Sequence, residues 1–343
     1  MTIARFVCVA LPTLLTAAPG ASGTSRPAAL LREHNYVAFD VSPDGKSVVF
    51  TPADGVTGIY VLDLGMRTVR QLVSVRAIAT SPVYSPDGKE IVFAAATRED
   101  EPFHLFLYSL ATQKVSQITN ESSASDRSPS YSSDGTTITF ARASRQRPYS
   151  TGGLTWDDWD VATIASDGSN FRRRTDVKYY RVSSPRFAAN DSALVYTAVG
   201  RTKESLAFTL FRVSLRSSGT PSPLLPSVTT KACGARGSDP SLSRDGRYLA
   251  FIADGQECYK YDIYVGGESA GNPKALGVTR VSSYNKEPVF VPRSAQIMYL
   301  AGTEDSGNGR KRYSLYAVER DGSRLQQAAG PSLFDDPLHW RGN

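Results

Sequence analysis

Short apolar runs alternate with polar turns from about residue 36 to residue 330, and no long amphipathic helix interrupts them. The runs recur in a fixed order. The clearest unit, Pro82-Val-Tyr-Ser-Pro-Asp-Gly-Lys-Glu-Ile-Val-Phe93, returns as Pro129 to Phe140, Pro185 to Tyr196, Pro240 to Phe251 and Pro288 to Tyr299, and a sixth copy runs from Phe39 to Phe50. In all six, the first residue and the final aromatic are 11 positions apart, a regularity that composition alone does not produce. Each unit reads as a β-hairpin. Four carry Asp-Gly at the bend, namely Asp44-Gly45, Asp87-Gly88, Asp134-Gly135 and Asp245-Gly246. Glycine takes the positive φ that a tight turn needs, and aspartate bonds back to the nearby backbone. Asn190-Asp191 can replace that pair, whereas Arg293-Ser294 is poor turn chemistry and predicts a looser bend.

A third strand follows each hairpin: Ile59-Tyr60-Val61, Leu105-Phe106-Leu107, Val161-Ala162-Thr163, Leu210-Phe211-Arg212, Ile263-Tyr264-Val265 and Leu315-Tyr316-Ala317. A weaker fourth precedes the next repeat, as in Arg70-Gln71-Leu72 and Ser116-Gln117-Ile118. Four antiparallel strands per unit, repeating every 43 to 56 residues, predict an all-β fold, a six-bladed β-propeller. A blade cannot bury both of its faces alone, so neighbours must stack around an axis. The blades fall at about 36–75, 80–120, 127–176, 183–226, 238–280 and 286–329. After them, Asp336-Pro337-Leu338-His339-Trp340 reads like the opening of a seventh repeat, and the tail 331–343 is expected to fold back on the junction of blades six and one with Trp340 buried.

The run Pro82-Val-Tyr-Ser-Pro-Asp-Gly-Lys, with Gly58-Ile-Tyr-Val-Leu-Asp before it, resembles the WD-like repeat of TolB-type propellers, which also builds the propeller domains of dipeptidyl-peptidase and oligopeptidase enzymes. The resemblance covers residues 36 to about 330, and it is specific for fold and weakly so for function. TolB-type proteins also carry an N-terminal α/β domain, for which the linker 21–35 leaves no room, so roles belonging to that domain are not implied.

Residues 1–20 depart from the pattern. Arg5, the apolar run Phe6 to Leu15 and the small residues Ala17 to Gly23 read as a secretory signal peptide, too short for a spanning helix. The chain is therefore expected to be exported, to the periplasm or beyond, and not to be an integral membrane protein. Export leaves Cys233 and Cys258 as an even pair in an oxidising compartment. They lie in adjacent loops of blade five, which predicts a disulfide. The net charge of +6 is scattered except at Arg172-Arg173-Arg174 and Arg310-Lys311-Arg312, so nucleic acid is not expected as a partner.

Strand alternation puts the second-to-third-strand loops and the between-blade connections on one face, and the bends on the other. From hairpin aromatic to third strand the gaps are 9, 12, 21, 14, 12 and 16 residues, so length varies on the first face, where binding is expected. The longest insertion, in blade three, supplies the candidate ligand residues Arg145, Arg147, Tyr149, Trp156, Asp157 and Asp158. Rigid aromatics beside charges suit a recognition hot spot. Trp159 aligns with third-strand aromatics and Asp160 with Asp262, which assigns them to packing and to backbone capping. Asp239, Glu287 and Asp336 each precede a repeat proline and are candidates to ring the axial opening, where oxygens could hold a cation or simply cap turns. No EF-hand pattern and no converging zinc ligands occur, so neither metal nor cofactor is expected. Gly267-Glu268-Ser269-Ala270-Gly271 matches a nucleophile-elbow pattern, but it falls at a strand-to-strand turn where that pattern has no catalytic meaning. Two classes of function remain. One is a module binding an envelope or extracellular protein or peptide. The other is a carbohydrate-active or lyase-like enzyme that binds glycan with the same carboxylates and aromatics. Three histidines in the whole chain favour the first.

Overall fold

The computed structural model describes residues 15–16, 37–53, 57–75, 78–98, 100–148, 153–201, 208–216, 220–225, 237–254, 260–304 and 311–340. They form six four-stranded antiparallel blades, each with its strands in chain order from the axis outward. Blade one spans Ala38–Val41, Ser47–Thr51, Ile59–Asp63 and Thr68–Val75. A two-residue strand within the N-terminal segment, Leu15–Thr16, pairs with its outer edge. The innermost strands of neighbouring blades touch around the ring, and the last of them, Tyr284–Phe290, returns to the first. This is the six-bladed β-propeller that the repeat predicts.

The repeat proline shapes the axis. Proline has no N–H to give to a ladder, and its ring pushes the residue before it out of the right-handed helical region. In blades two to six the inner strand skips register around that proline. The preceding residues, Ser81, Ser128, Ser184, Asp239 and Glu287, adopt φ between 49° and 54°. Blade one has Phe39 in that place and pairs without a skip.

The hairpin aromatics Phe50, Phe93, Phe140, Tyr196, Phe251 and Tyr299 are at most 2% exposed. Burying each such ring stabilises by roughly 1.5–3 kcal/mol. In five blades the ring stacks on the third-strand aromatic directly across the ladder, at 5.7–5.9 Å between centroids. Blade three has Ala162 opposite Phe140, and Phe171 from beyond the next turn fills the gap.

All six bends close on the same backbone bond, from 2.8 Å at Gly45 N–H to Ser42 O to 3.2 Å at Ser294 N–H to Val291 O. The looser bend expected at Arg293-Ser294 is thus only slightly longer, because Arg293 itself takes φ 61°. The ring is clasped by the C-terminal segment. It forms a short helix, Ser332–Asp335, and a helical turn, Pro337–His339, rather than the start of another strand. Leu333, Phe334 and Trp340 are buried among Phe39, Phe50 and Tyr60 of blade one and Leu300 and Leu315 of blade six. Among the described residues no helix is long and apolar enough to cross a membrane.

Candidate functional site

The longest insertion is not an irregular loop. The second and third strands of blade three, Thr137–Pro148 and Leu154–Ala165, run for 12 residues each, against five to nine in the other blades. Unbroken pairing from Ala143↔Trp159 to Pro148↔Leu154 carries them past the blade as a two-stranded ribbon on the loop-rich face. The period-two alternation of Arg145, Gln146 and Arg147 was the sequence signal for this. The ribbon is pinned on both sides. Gln146 Nε2 and Trp156 Nε1 donate to the carbonyls of Asp100 and Glu101 in blade two. On the other side, Arg147 Nη2 donates to Tyr180 Oη at 2.9 Å.

Arg145, Arg147, Asp157 and Asp158 come together, joined by Arg201 of blade four, which the sequence did not single out. Asp157 is 1% exposed and contacts Arg145 at 3.0 Å, Arg147 at 3.2 Å and Arg201 at 2.7 Å. Asp158 accepts from Arg145 at 2.6 Å and from Arg201 at 2.6 Å. The hydrogen-bonded Arg145 guanidinium holds the Asp158 carboxyl below its ordinary range. That is the reverse of what a general acid for glycoside cleavage requires. Trp156 is 7% exposed and packs with Trp159, Tyr179 and Val182, so its indole anchors the ribbon instead of facing outward. Trp159 belongs to the same core cluster. Asp160 caps backbone as its alignment implied, accepting from Val177 N–H and Thr175 Oγ1. Asp262 does the same for Gly277 and Val278. Tyr149, at the ribbon tip, lies outside the described residues.

A second charged group lies on the axis. All six blades line a cavity of about 420 Å³, with Asp40, Tyr84, Tyr131, Arg186, Ser241 and Phe290 among its walls. Asp239 and Glu287 stand in the inner strands beside Arg186 and stitch blades together. Asp239 Oδ2 accepts weakly from Glu287 N–H at 3.5 Å, and Asp40 Oδ2 accepts from Tyr84 N–H at 2.9 Å. Burial pushes Asp40 up to about 6 and Glu287 up to about 7, and lowers Arg186 despite its acidic neighbours. Asp336 does not join this ring. It sits in the C-terminal segment, 2.9 Å from His339 Nδ1. Asp40 and Arg186 carried no repeat-proline signal and were missed.

The other sequence candidates are quickly placed. Cys233 and Cys258 lie outside the described residues. Ser269 occupies a turn closed by Ala270 N–H to Gly267 O and followed by the strand Lys274–Ala275, with no helix behind it. The largest groove, about 600 Å³, lies between blades one and two on the bend face and touches none of the candidate residues. Among the described residues no group of three or more His, Cys, Asp or Glu side chains is placed to hold a metal ion.

Comparison with known proteins agrees with this architecture. The chain is 32% identical over 79 residues to the Tol-Pal system protein TolB of Francisella tularensis subsp. holarctica (strain OSU18), a match covering 23% of this chain and only 18% of that protein. The crystal structure of TolB from Acinetobacter baumannii superposes with a TM-score of 0.60 at 17% identity, over 86% of this chain and 64% of that one. A puromycin-hydrolyzing peptidase of Mycobacterium tuberculosis superposes with a TM-score of 0.57 at 17% identity, over 90% and 45%. At such identities the superpositions establish the fold alone. The model of the TolB beta propeller domain matches residues 22–209, more than half of the sequence, and the chain belongs to that family.

Proposed function

We propose that the chain is an exported module that binds an envelope or extracellular protein or peptide on its loop-rich face, with the blade-three ribbon as its main recognition element. The observation that carries this reading is the ribbon itself. It is the one place among the described blades where paired strands outgrow the scaffold, and hydrogen bonds to blades two and four hold it upright. A rigid projection loses little conformational freedom on binding, which is what makes a loop-borne site effective. Membership of the TolB propeller family, some of whose members are Tol-Pal system proteins, supports a binding role. Tyr149 at the tip belongs to the same proposed surface. A Cys233–Cys258 bridge would tether a neighbouring loop, and a non-reduced digest should then yield the two cysteines in one linked peptide.

The test is a ribbon deletion. Replacing residues 145–157 by Asn-Gly rebuilds an ordinary blade hairpin of the kind the other blades use. Wild-type and shortened chains, immobilised side by side, are exposed to envelope extract and to a glycan array. Proteins retained by the wild type and lost by the shortened chain are the expected outcome. An identical captured set would overturn the assignment to the ribbon, and capture of glycans alone would move the chain to the carbohydrate-active class.

A further inference from the structure

Positive charge is not spread evenly. Residues 142–201 carry ten basic and six acidic side chains, most of the excess in a chain of net charge +6. On the side of the ribbon facing blade four, three arginines meet two aspartates. Arg201 is fully engaged, donating to Asp157, Asp158 and the carbonyl of Lys178. Arg145 and Arg147 are not. Each is held in orientation by bonds from Nε and Nη2, and each keeps an Nη1 group with no acceptor among the described residues. Their side chains remain 53% and 29% exposed. Lys178 beside them is exposed and its ammonium has no ion-pair partner among the described residues. Flanking these cations, Val177 and Tyr180 are 46% and 43% exposed, two of the six large hydrophobic side chains left open on the described surface.

We propose that this patch binds an acidic peptide segment of a partner protein, its carboxylates meeting Arg145, Arg147 and Lys178 and an apolar side chain resting on Val177 and Tyr180. The proposal rests on the ribbon being the recognition element and adds the chemistry of what it recognises. Two arginines already oriented by buried Asp157 present fixed N–H forks, and a planar fork matches the geometry of a carboxylate better than it matches a diffuse charged layer. The apolar flank gives such a segment area to bury beside its charges. A membrane surface would instead favour mobile lysines around a broad apolar face.

The probe is a fluorescent dodecapeptide repeating Glu-Glu-Leu-Gly, with versions carrying Gln or Lys for Glu, titrated with the purified chain by anisotropy. Binding of the Glu peptide alone is expected, weakening roughly ten-fold between about 50 and 300 mM salt. Arg147→Gln should weaken it about ten-fold, and Tyr180→Ser a further few-fold, as expected for one charge-assisted contact and one apolar contact. Arg293→Gln, which removes a distant bend-face arginine, should leave it unchanged, and circular dichroism checks that all variants fold. Equal binding of the Gln peptide, or an equal loss in Arg293→Gln, would overturn the proposal. So would vesicles of three parts phosphatidylcholine to one of phosphatidylglycerol binding through Arg147 while the peptide does not. If no probe binds but the ribbon deletion still abolishes capture from extract, the acidic-segment inference fails and the ribbon's role stands.

Discussion

The ribbon and the axis are built from the same two residue types in opposite proportion. On the ribbon, three arginines surround Asp157 and Asp158, and the hydrogen-bonded Arg145 keeps Asp158 well ionised. On the axis, Asp40, Asp239 and Glu287 share the single Arg186, and burial drives Asp40 to about 6 and Glu287 to about 7. The difference comes from place as much as from stoichiometry. The ribbon projects into water, so its excess cations stay solvated and available. The axial acids are enclosed by six blades, and desolvation outweighs the one nearby guanidinium. One cluster is therefore suited to meet a charged partner, and the other stitches the scaffold together.

The largest effect should come from removing the ribbon's buried anion. Asp157→Ala leaves three guanidinium groups facing one another across a site with 1% exposure. Breaking a buried pair in this way costs about 3–5 kcal/mol. The loss should concentrate in the ribbon, seen as faster amide exchange over residues 144–148 and 154–158. The inner strands, held by different contacts, should keep their protection. Uniform loss across all six blades would show that the ribbon is part of the cooperative core and not an appendage to it.

How much of this was legible in the sequence follows from what repeats. The hairpin spacing, the Asp-Gly bends and the blade order were readable because six copies share one local solution. Even the weak bend of blade six was found, though Arg293 supports it better than its side chain suggests. Asp160 and Asp262 were assigned correctly because alignment between blades exposes a shared backbone duty. The ribbon was placed but misjudged as a loop, since the repeat offers no template for residues found in only one blade. Trp156 read as a surface aromatic because nothing in sequence reveals the Glu101 carbonyl waiting for its indole. Arg201 and Arg186 were invisible for a related reason. Each acts on residues of other blades, and charge partnerships across blades leave no periodic trace.

The axis can be probed by pH. Glu287 has a folded pKa of about 7, raised from an ordinary 4.5 by burial. A raised acid binds its proton more tightly when folded. Its contribution to stability is therefore complete below about pH 4.5 and is lost as the pH climbs through 7. Glu287→Gln mimics the protonated form at every pH. The variant and wild type should melt alike near pH 4.5, and the variant should gain by up to about 3 kcal/mol by pH 8. Asp40→Asn should behave similarly but reach its full gain sooner, because Asp40 titrates near 6. Ribbon variants should show no such rise. A flat difference between Glu287→Gln and wild type from pH 4.5 to 8 would mean that Arg186 neutralises the ring more fully than burial disfavours it.

The smallest effect tests how the ribbon is held. Trp156 Nε1 donates to the Glu101 carbonyl at 3.2 Å, while the body of the indole packs in the cluster with Trp159 and Tyr179. Trp156→Phe keeps most of the apolar contact and removes the donor, so the loss should be about 1 kcal/mol, the net worth of one hydrogen bond. Gln146 still reaches the Asp100 carbonyl at 2.9 Å, so the ribbon should stay upright with modestly faster exchange. The guanidinium face looks toward blade four and does not depend on this bond. Anisotropy with the Glu peptide should therefore be nearly unchanged in Trp156→Phe. A drop in peptide binding as large as that of Arg147→Gln would show that the lean toward blade two sets the arginine geometry. The ribbon would then have to be treated as one rigid body, and not as two faces that can be altered separately.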